Sequence, residues 1–203
     1  KTGGVVSSFK PEEILEMYPE LKGMANIRSR LISNIFSEDM RFEHYQKIAK
    51  AVAEETKKGA DGIIITHGTD TLHYTSCALA FMLGNIGIPV ILVGAQRSSD
   101  RGSSDAFLNL VSAARLIEKT DFSGVAICMH ENLDDNSCLL LPACRSRKLH
   151  SCRRDAFKSV DTKPIARITG EVEFFSVYEK AEKGRKIELK TWMEEKVGMI
   201  KIH

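Results

Sequence analysis

The sequence predicts an α/β domain of three layers, in which helices cover both faces of a parallel β-sheet. Two observations lead to this fold class. Short runs of mostly branched apolar residues at 63–65, 88–93 and 125–129 are typical of strands that are buried on both faces. Segments with apolar residues at helical spacing separate these runs, and a chain of strand–helix–strand units folds into a parallel sheet covered by helices.

The elements before the first buried strand follow from local signals. Proline is favoured in the first turn of a helix, so Pro11 marks the start of the first helix. The stretch 26–36 is β-like at its end. Apolar residues recur at helical spacing over 45–52, which predicts a second helix, and the run 63–65 is the first buried strand.

Two more helices alternate with the later strands. The helix around residues 72–83 is predicted to stop at Gly84, because glycine is typical of helix ends. Ser103 or Ser104 is predicted to cap the helix that follows the strand 88–93. Beyond the third strand the pattern weakens into short segments, which cover residues 137–141, 165–168 and 171–175.

The chain divides into one main domain and a short remainder. At 203 residues it has the length of one domain and a piece of another. Residues 1–178 carry the alternating pattern and are predicted to form the main domain. The charge-rich stretch 179–196 is predicted to be a linker, and residues 197–203 to begin a second domain. Because the chain starts at Lys1 and stops within a strand-like run, we expect it to be the central part of a longer protein.

Composition and charge exclude several classes of protein. With 43% hydrophobic and 28% charged residues, the chain is neither disordered nor collagen-like. A formal net charge of +2 gives no indication of direct nucleic-acid binding, and the apolar runs are too short to span a membrane. The cysteines are five in number and form no CxxC pair, so we expect free thiols in a reduced, cytoplasmic compartment and no metal site.

Polar segments follow three of the predicted strands, at 37–39, 66–71 and 94–101. Ligands of parallel sheets bind beyond the carboxyl ends of the strands, so we expect these segments to meet at one edge. The second segment is the most informative. Gly68 permits close backbone approach, Thr69 supplies a hydroxyl, and Asp70 supplies a carboxylate at the start of a helix.

A threonine hydroxyl is a poor nucleophile unless a base lies nearby, often an amine with a lowered pKa. Lys148, on a later loop, is the candidate amine. The alternative is that Thr69 and Asp70, with Thr71, only cap the helix. His67 and His73 are interpreted as packing or hydrogen-bonding residues. For His130 the sequence does not decide whether the side chain faces the cleft or the core.

A basic patch surrounds the candidate amine. Its default interpretation is a solvated surface, and the alternative is an anchor for an anionic group or an acidic partner. The patch comprises Arg145, Arg147, Lys148, Arg153 and Arg154. Neither GxGxxG nor a P-loop motif is present, so nothing indicates a dinucleotide or nucleoside triphosphate site.

The segment His67-Gly68-Thr69-Asp70-Thr71 resembles the second threonine motif of the bacterial-type L-asparaginase family. Longer segments resemble one branch of it, the D-subunits of archaeal glutamyl-tRNA(Gln) amidotransferases, and the resemblance covers nearly the whole chain. These segments are residues 34–40, 66–74, 93–101 and 147–157. The resemblance implies an asparaginase N-terminal-domain-like fold, related to flavodoxin-like and Rossmann-like sheets, for residues 1–178.

The resemblance also implies roles for particular residues. Thr69 corresponds to the second catalytic threonine, Asp70 to its acidic partner and a holder of the substrate α-amino group, and Lys148 to the activating amine. Ser37 and Glu38 correspond to positions that grip the substrate α-carboxylate and α-amino group. In the same loop as Thr69, Gly68 corresponds to a position against the substrate.

One part of the family's site has no counterpart here. The first catalytic threonine of the family lies in a glycine-rich loop near the N-terminus, and that loop is absent from these residues. Thr2, in the segment Thr2-Gly3-Gly4-Val5, matches the mobile flap that follows the loop instead. We therefore expect this stretch alone to hold half of an active site and to be inactive.

The branch implies hydrolysis of glutamine, with ammonia passed on to convert Glu-tRNA(Gln) into Gln-tRNA(Gln). A partner subunit would bind the tRNA and hold ATP and Mg²⁺, so this chain would need no cofactor or metal of its own. The family further implies a homodimer within a heterotetramer. Two alternatives are a free-standing L-asparaginase and a truncated, non-catalytic binding domain.

Overall fold

A computed structural model of the chain describes residues 16–97, 103–182 and 184–198, together with Ile200 and Ile202. The predicted helix start at Pro11, the segment around Thr2 and residues 98–101 of the third polar segment lie outside the described residues. The predicted second domain at 197–203 lies partly outside them.

The helices and strands alternate through the first two thirds of the chain, as the apolar periodicity predicts. The helices are α1 (Glu20–Met24), α2 (Phe42–Lys57), α3 (Leu72–Leu83) and α4 (Ala106–Lys119). The strands are β1 (Ile63–Thr66), β2 (Pro89–Val93), β3 (Gly124–His130), β4 (Cys138–Pro142), β5 (Ser146–Lys148), β6 (Phe157–Ser159), β7 (Ala166–Ile168) and β8 (Val172–Phe174). A 3₁₀ turn covers Ser37–Asp39.

Six strands form one sheet in the order β1-β2-β3-β4-β7-β8, and β5 and β6 form a separate two-stranded sheet. Helices pack on both faces, so the predicted three-layer α/β class is confirmed. Side chains alternate across β3, with Ile127 and Met129 in the core beneath α2 and α3, and Ala126 and Cys128 in the core beneath α4.

The prediction of a parallel sheet holds for β1, β2 and β3, whereas β4, β7 and β8 run antiparallel to their neighbours. The sheet is therefore mixed. Connection length explains the change of direction. Parallel neighbours need a crossover of about a dozen residues or more. β3 and β4 are joined only by residues 131–137, which suffice for a tight antiparallel return.

The expected β-like end of the stretch 26–36 is wrong, because residues 25–36 form neither helix nor strand. Apolar residues there still serve the core, since Ile32 packs against the cluster beneath α2. A run of apolar residues becomes a strand only where a neighbouring strand supplies hydrogen bonds.

Residues 184–193 form neither helix nor strand and lie against the main domain. Ile187, Leu189 and Met193 pack on the core beneath α3, and the Lys190 amide donates to the Met82 carbonyl at 2.8 Å. The division into a domain and a linker stays a prediction. None of the helices in the described part of the chain has the length and apolar character that a membrane crossing requires.

Candidate active site

The carboxyl ends of β1 and β2 hold the centre of the candidate site. The amide of His67 donates to the Val93 carbonyl at 2.9 Å, which extends the ladder one residue past β1. The chain then turns through Gly68, Thr69 and Asp70 into α3. This is the edge where a ligand of a parallel sheet is expected to bind.

Three predicted residues meet at this edge. The ammonium of Lys148 donates to the Thr69 hydroxyl oxygen at 2.8 Å and to an Asp70 carboxylate oxygen at 2.9 Å. Thr69 is buried, the Lys148 side chain is 8% exposed, and that of Asp70 is 55% exposed. The carboxylate therefore holds a nearly buried cation in place while keeping much of its surface free for another ligand.

The strand β5 makes this meeting possible. Lys148 is the last residue of β5, which pairs with β6 and extends the amine towards the start of α3. The hydroxyl of Ser76, on α3, donates to the Ala143 carbonyl at 3.0 Å and so fixes the chain just before β5. Two elements that are distant in sequence are thereby held at the distance that proton transfer requires.

The 3₁₀ turn that begins at Ser37 packs directly on the threonine turn. A Cβ atom on Gly68 would lie 2.7 Å from the Ser37 Cβ, so this contact requires glycine. The Thr71 hydroxyl donates to the Ser37 carbonyl at 2.7 Å, and the Ser37 hydroxyl donates to a Glu38 carboxylate oxygen at 3.3 Å. All six predicted site residues thus lie in two adjoining clusters.

His67 behaves as a structural residue. Its Nδ1 lies 2.7 Å from the Gly68 carbonyl oxygen and its Nε2 lies 2.9 Å from the Thr75 hydroxyl. Burial lowers the pKa of His67, against the carbonyl of Gly68, which raises it. A neutral ring that donates from Nδ1 and accepts at Nε2 satisfies both contacts, which agrees with the hydrogen-bonding interpretation.

An open cleft of about 370 Å³ adjoins the Lys148–Asp70 pair. His73, Tyr74, Arg147, Leu149, His150 and Ser151 complete its lining. Burial lowers the pKa of His73, and the cations of Arg147 and Lys148 lower it further. These two neighbouring cations therefore disfavour a positive charge on His73.

The basic patch divides between the cleft and the surface around it. Arg147 lines the cleft, whereas Arg153 pairs with Asp155 at 2.8 Å and Arg154 pairs with Asp135 at 2.9 Å. The solvated-surface interpretation fits Arg153, whose side chain is half exposed, but not Arg154, whose largely buried side chain also donates to the Leu133 carbonyl at 3.2 Å.

His130 lies in the core behind the cleft. It is fully buried, with Nδ1 at 2.7 Å from the Asn109 side-chain oxygen and Nε2 at 3.1 Å from Asp135. The question left open by the sequence is therefore answered in favour of the core. Within the described residues, no group of three or more His, Cys, Asp and Glu side chains is arranged to hold a metal ion.

The loop that follows β2 is the start of the polar segment 94–101, which was expected at this edge, although no site residue was predicted in it. A Cβ atom on Gly94 would lie 2.9 Å from the Thr69 Cγ2 atom, so this loop packs against the threonine. The Asn109 amide donates to the Gly94 carbonyl at 2.9 Å and ties the loop to α4. The signal available in the sequence was an asparagine one helical turn after Asp105.

Comparisons with known proteins show the family of the chain. Residues 1–180 match the family model described as "Asparaginase, N-terminal". The chain is 43% identical to the glutamyl-tRNA(Gln) amidotransferase D-subunit of Pyrococcus abyssi and 45% identical to that of Methanococcus vannielii. Both alignments cover 100% of this chain, but only 47% and 48% of the relatives. The chain thus spans about half the length of these curated relatives.

Solved structures give the same fold. A probable cytoplasmic L-asparaginase from Campylobacter jejuni superposes with a TM-score of 0.77 at 32% identity, over 89% of this chain and 53% of that one. The thermostable L-asparaginase from Thermococcus kodakarensis superposes with a TM-score of 0.78 at 30% identity, over 94% of this chain and 56% of that one.

Proposed function

The chain belongs to the asparaginase family, and we propose that it carries the threonine, carboxylate and amine of a glutaminase that feeds ammonia to a tRNA-dependent amidotransferase. The observation that carries the proposal is the contact of Lys148 with both Thr69 and Asp70, at 2.8 and 2.9 Å. A hydroxyl, an amine and a carboxylate at these distances are what general-base activation needs.

In the proposed reaction, Lys148 in its neutral form takes the proton of the Thr69 hydroxyl. The threonine oxygen then attacks the amide carbon of the substrate or activates a water that does so. Asp70 stabilises the ammonium that this proton transfer creates. With water consumed, the carbon–nitrogen bond of the amide breaks, ammonia leaves, and the side chain becomes a carboxylate.

Binding of the amino-acid end is assigned to the neighbouring cluster. The Ser37 hydroxyl and the Gly68 backbone face the same turn as Thr69, and Glu38 is exposed beside them. In this proposal Ser37 holds the substrate α-carboxylate, and Glu38 and the exposed part of Asp70 hold its α-amino group. The protein would need no cofactor for this step.

Glutamine is favoured as the substrate because relatives named as amidotransferase D-subunits match the full chain at 42–46% identity. The ammonia would pass to a partner subunit that binds the tRNA and uses ATP and Mg²⁺. A free-standing L-asparaginase is the second candidate, since the two solved structures named above are L-asparaginases at 30–32% identity.

The test is ammonia release from glutamine and asparagine, measured side by side on the full-length protein, with and without the partner subunit and tRNA. We expect glutamine to be preferred and the partner to stimulate turnover. Thr69→Ala should lower turnover by at least about a hundredfold, because it removes the hydroxyl that proton transfer acts on. Thr69→Ser should keep part of the activity.

The matched control is Thr56→Ala, which also removes a threonine hydroxyl; that hydroxyl is half-buried and donates to the Val52 carbonyl on α2 at 2.8 Å. It should leave turnover unchanged. Preference for asparagine without a partner would favour the free-standing enzyme. Unchanged ligand binding with no turnover in either the natural protein or Thr69→Ala would favour a non-catalytic domain.

A further inference from the structure

Gln96 connects the loop after β2 to the loop after Lys148. Its side-chain Nε2 donates to the Arg153 carbonyl at 2.9 Å and to the His150 carbonyl at 3.3 Å. Both carbonyls belong to the loop 149–156, which joins β5 to β6. One side chain therefore spans from the main sheet to the hairpin that carries the amine.

The main-sheet end of this connection is firmly held. Asp105 is fully buried at the start of α4, and its carboxylate accepts the amides of Gln96 at 2.9 Å and Arg97 at 2.8 Å. Charge-assisted hydrogen bonds of this kind are stronger than neutral ones. The same loop packs on Thr69 through Gly94, so Gln96 starts from a fixed point beside the threonine.

The hairpin end needs such an anchor. β5 and β6 are three residues each and form a sheet of their own. The core holds β6, where Phe157 is fully buried, whereas residues 149–153 of the loop after Lys148 are exposed. Ser76 fixes the chain before β5, and Gln96 fixes the loop beyond it, so the two contacts bracket Lys148.

We propose that Gln96 is a positioning residue, which holds the β5–β6 hairpin so that the Lys148 amine stays within reach of Thr69. The inference rests on the proposed function for its catalytic consequence, although the structural part is independent of it. Gln96 makes the contact with its NH₂ group, so loss of the donor should release the loop without removing any group of the proposed reaction.

The test compares Gln96→Glu and Gln96→Met in the full-length protein. Glutamate has the same shape, but its oxygens would face two carbonyl oxygens, and methionine keeps the length without a donor. We expect kcat to fall about ten- to a hundredfold, since displacement of a catalytic group by about 1 Å has effects of this size. KM should change by less than about threefold, because Ser37, Glu38 and Asp70 are untouched.

Gln46→Glu is the matched control. Gln46 also donates Nε2 to a backbone carbonyl that is distant in sequence, that of Thr191 at 2.8 Å, but it lies on α2 away from the hairpin. The two glutamate variants should lower the melting temperature to a similar extent, and only Gln96→Glu should lower kcat. Equal kcat in both variants, or a change confined to KM, would overturn the proposal.

Hydrogen exchange separates this inference from the proposed function. The Leu149 amide donates to the Ala156 carbonyl at 2.7 Å, and the Ala156 amide donates to the Arg153 carbonyl at 3.2 Å. Exchange at these two amides should accelerate in Gln96→Glu and not in Gln46→Glu. If the natural protein hydrolyses neither glutamine nor asparagine, the proposed function fails. Faster exchange in Gln96→Glu would still support the anchoring role. Unchanged exchange contradicts that role whatever the activity.

Discussion

Lys148 is the residue on which the candidate chemistry depends, because it touches both Thr69 and Asp70. A cation at this position has two possible uses. It can hold charge, or it can lose a proton and accept one from the hydroxyl. The two uses are separable, since arginine keeps the charge and the hydrogen bonds to a carboxylate but does not deprotonate in proteins.

We therefore predict that Lys148→Arg lowers the turnover of glutamine by at least about a hundredfold, which is the usual contribution of a general base. Steady-state ammonia release measures it. The control is Lys180→Arg, which alters another lysine that pairs with an aspartate at 2.9 Å, Asp121, outside the candidate site. Turnover at the natural level in Lys148→Arg would assign the lysine a purely electrostatic role.

Single residues also show how far the sequence can lead. Thr69 and Asp70 were recognisable because they are adjacent within a motif at the end of a strand. Lys148 was identified by the chemistry that a threonine requires and by resemblance, although 79 positions separate it from Thr69. Gln96 stands within the polar segment 94–101, but nothing in the sequence indicates its role. Its partners are backbone carbonyls, which every residue possesses, so only the folded chain reveals the contact.

The β5–β6 hairpin is the element that the sequence did not predict. Its strands are too short to show an alternating pattern, and they contain charged residues. Backbone pairing and the buried Phe157 side chain hold it in place, and charge pairs add to them. Asp155 accepts two hydrogen bonds from Arg153, at 2.8 and 3.0 Å, and one from Lys158 at 3.2 Å.

These contacts make the hairpin sensitive to acid. The hydrogen bonds from Arg153, first of all, and from Lys158 hold the pKa of Asp155 at about 2, although burial acts to raise it. The folded pKa thus lies below the ordinary value of 3.8. A depressed carboxyl pKa stabilises the folded state above the unfolded value, and this stabilisation disappears as the pH falls through the folded value.

We predict that Asp155→Asn lowers the free energy of unfolding at pH 7, and that its difference from the natural protein shrinks between about pH 4 and pH 2. Urea denaturation at several pH values measures this. Arg153→Gln serves as the companion variant, because removal of the main partner should let Asp155 titrate at higher pH. A difference that stays constant down to pH 2 would mean that the ion pairs contribute nothing to folding.

Over the whole chain, the fold class and most helices followed from apolar periodicity, whereas the direction of the later strands did not. Periodicity reports which face of an element is buried and says nothing about chain direction. The short loops between β3 and β4 and between β7 and β8 do indicate direction, because short loops join antiparallel strands. In the stretch 179–196, the many charged residues likewise masked an alternation of apolar and polar side chains. Ile187, Leu189 and Met193 are the apolar ones that pack on the core.

That alternation leads to a prediction for the molecule as a whole. Leu189 is half-buried against the core beneath α3, whereas the Trp192 side chain on the opposite side is 80% exposed. If the segment is docked, Leu189→Ser should lower the free energy of unfolding by about 1–2 kcal/mol, the value of a partly buried leucine. Trp192→Ser should change it by no more than about 0.5 kcal/mol, although tryptophan is larger.

Urea denaturation of the two variants decides between a docked segment and a free linker. A free linker would make both substitutions neutral, because neither side chain would leave a packed environment on unfolding. The segment meets α3 near its C-terminal end, where the Lys190 amide donates to the Met82 carbonyl. Thr69 and Asp70 precede the opposite end of α3, so we expect Leu189→Ser to lower stability and leave kcat unchanged.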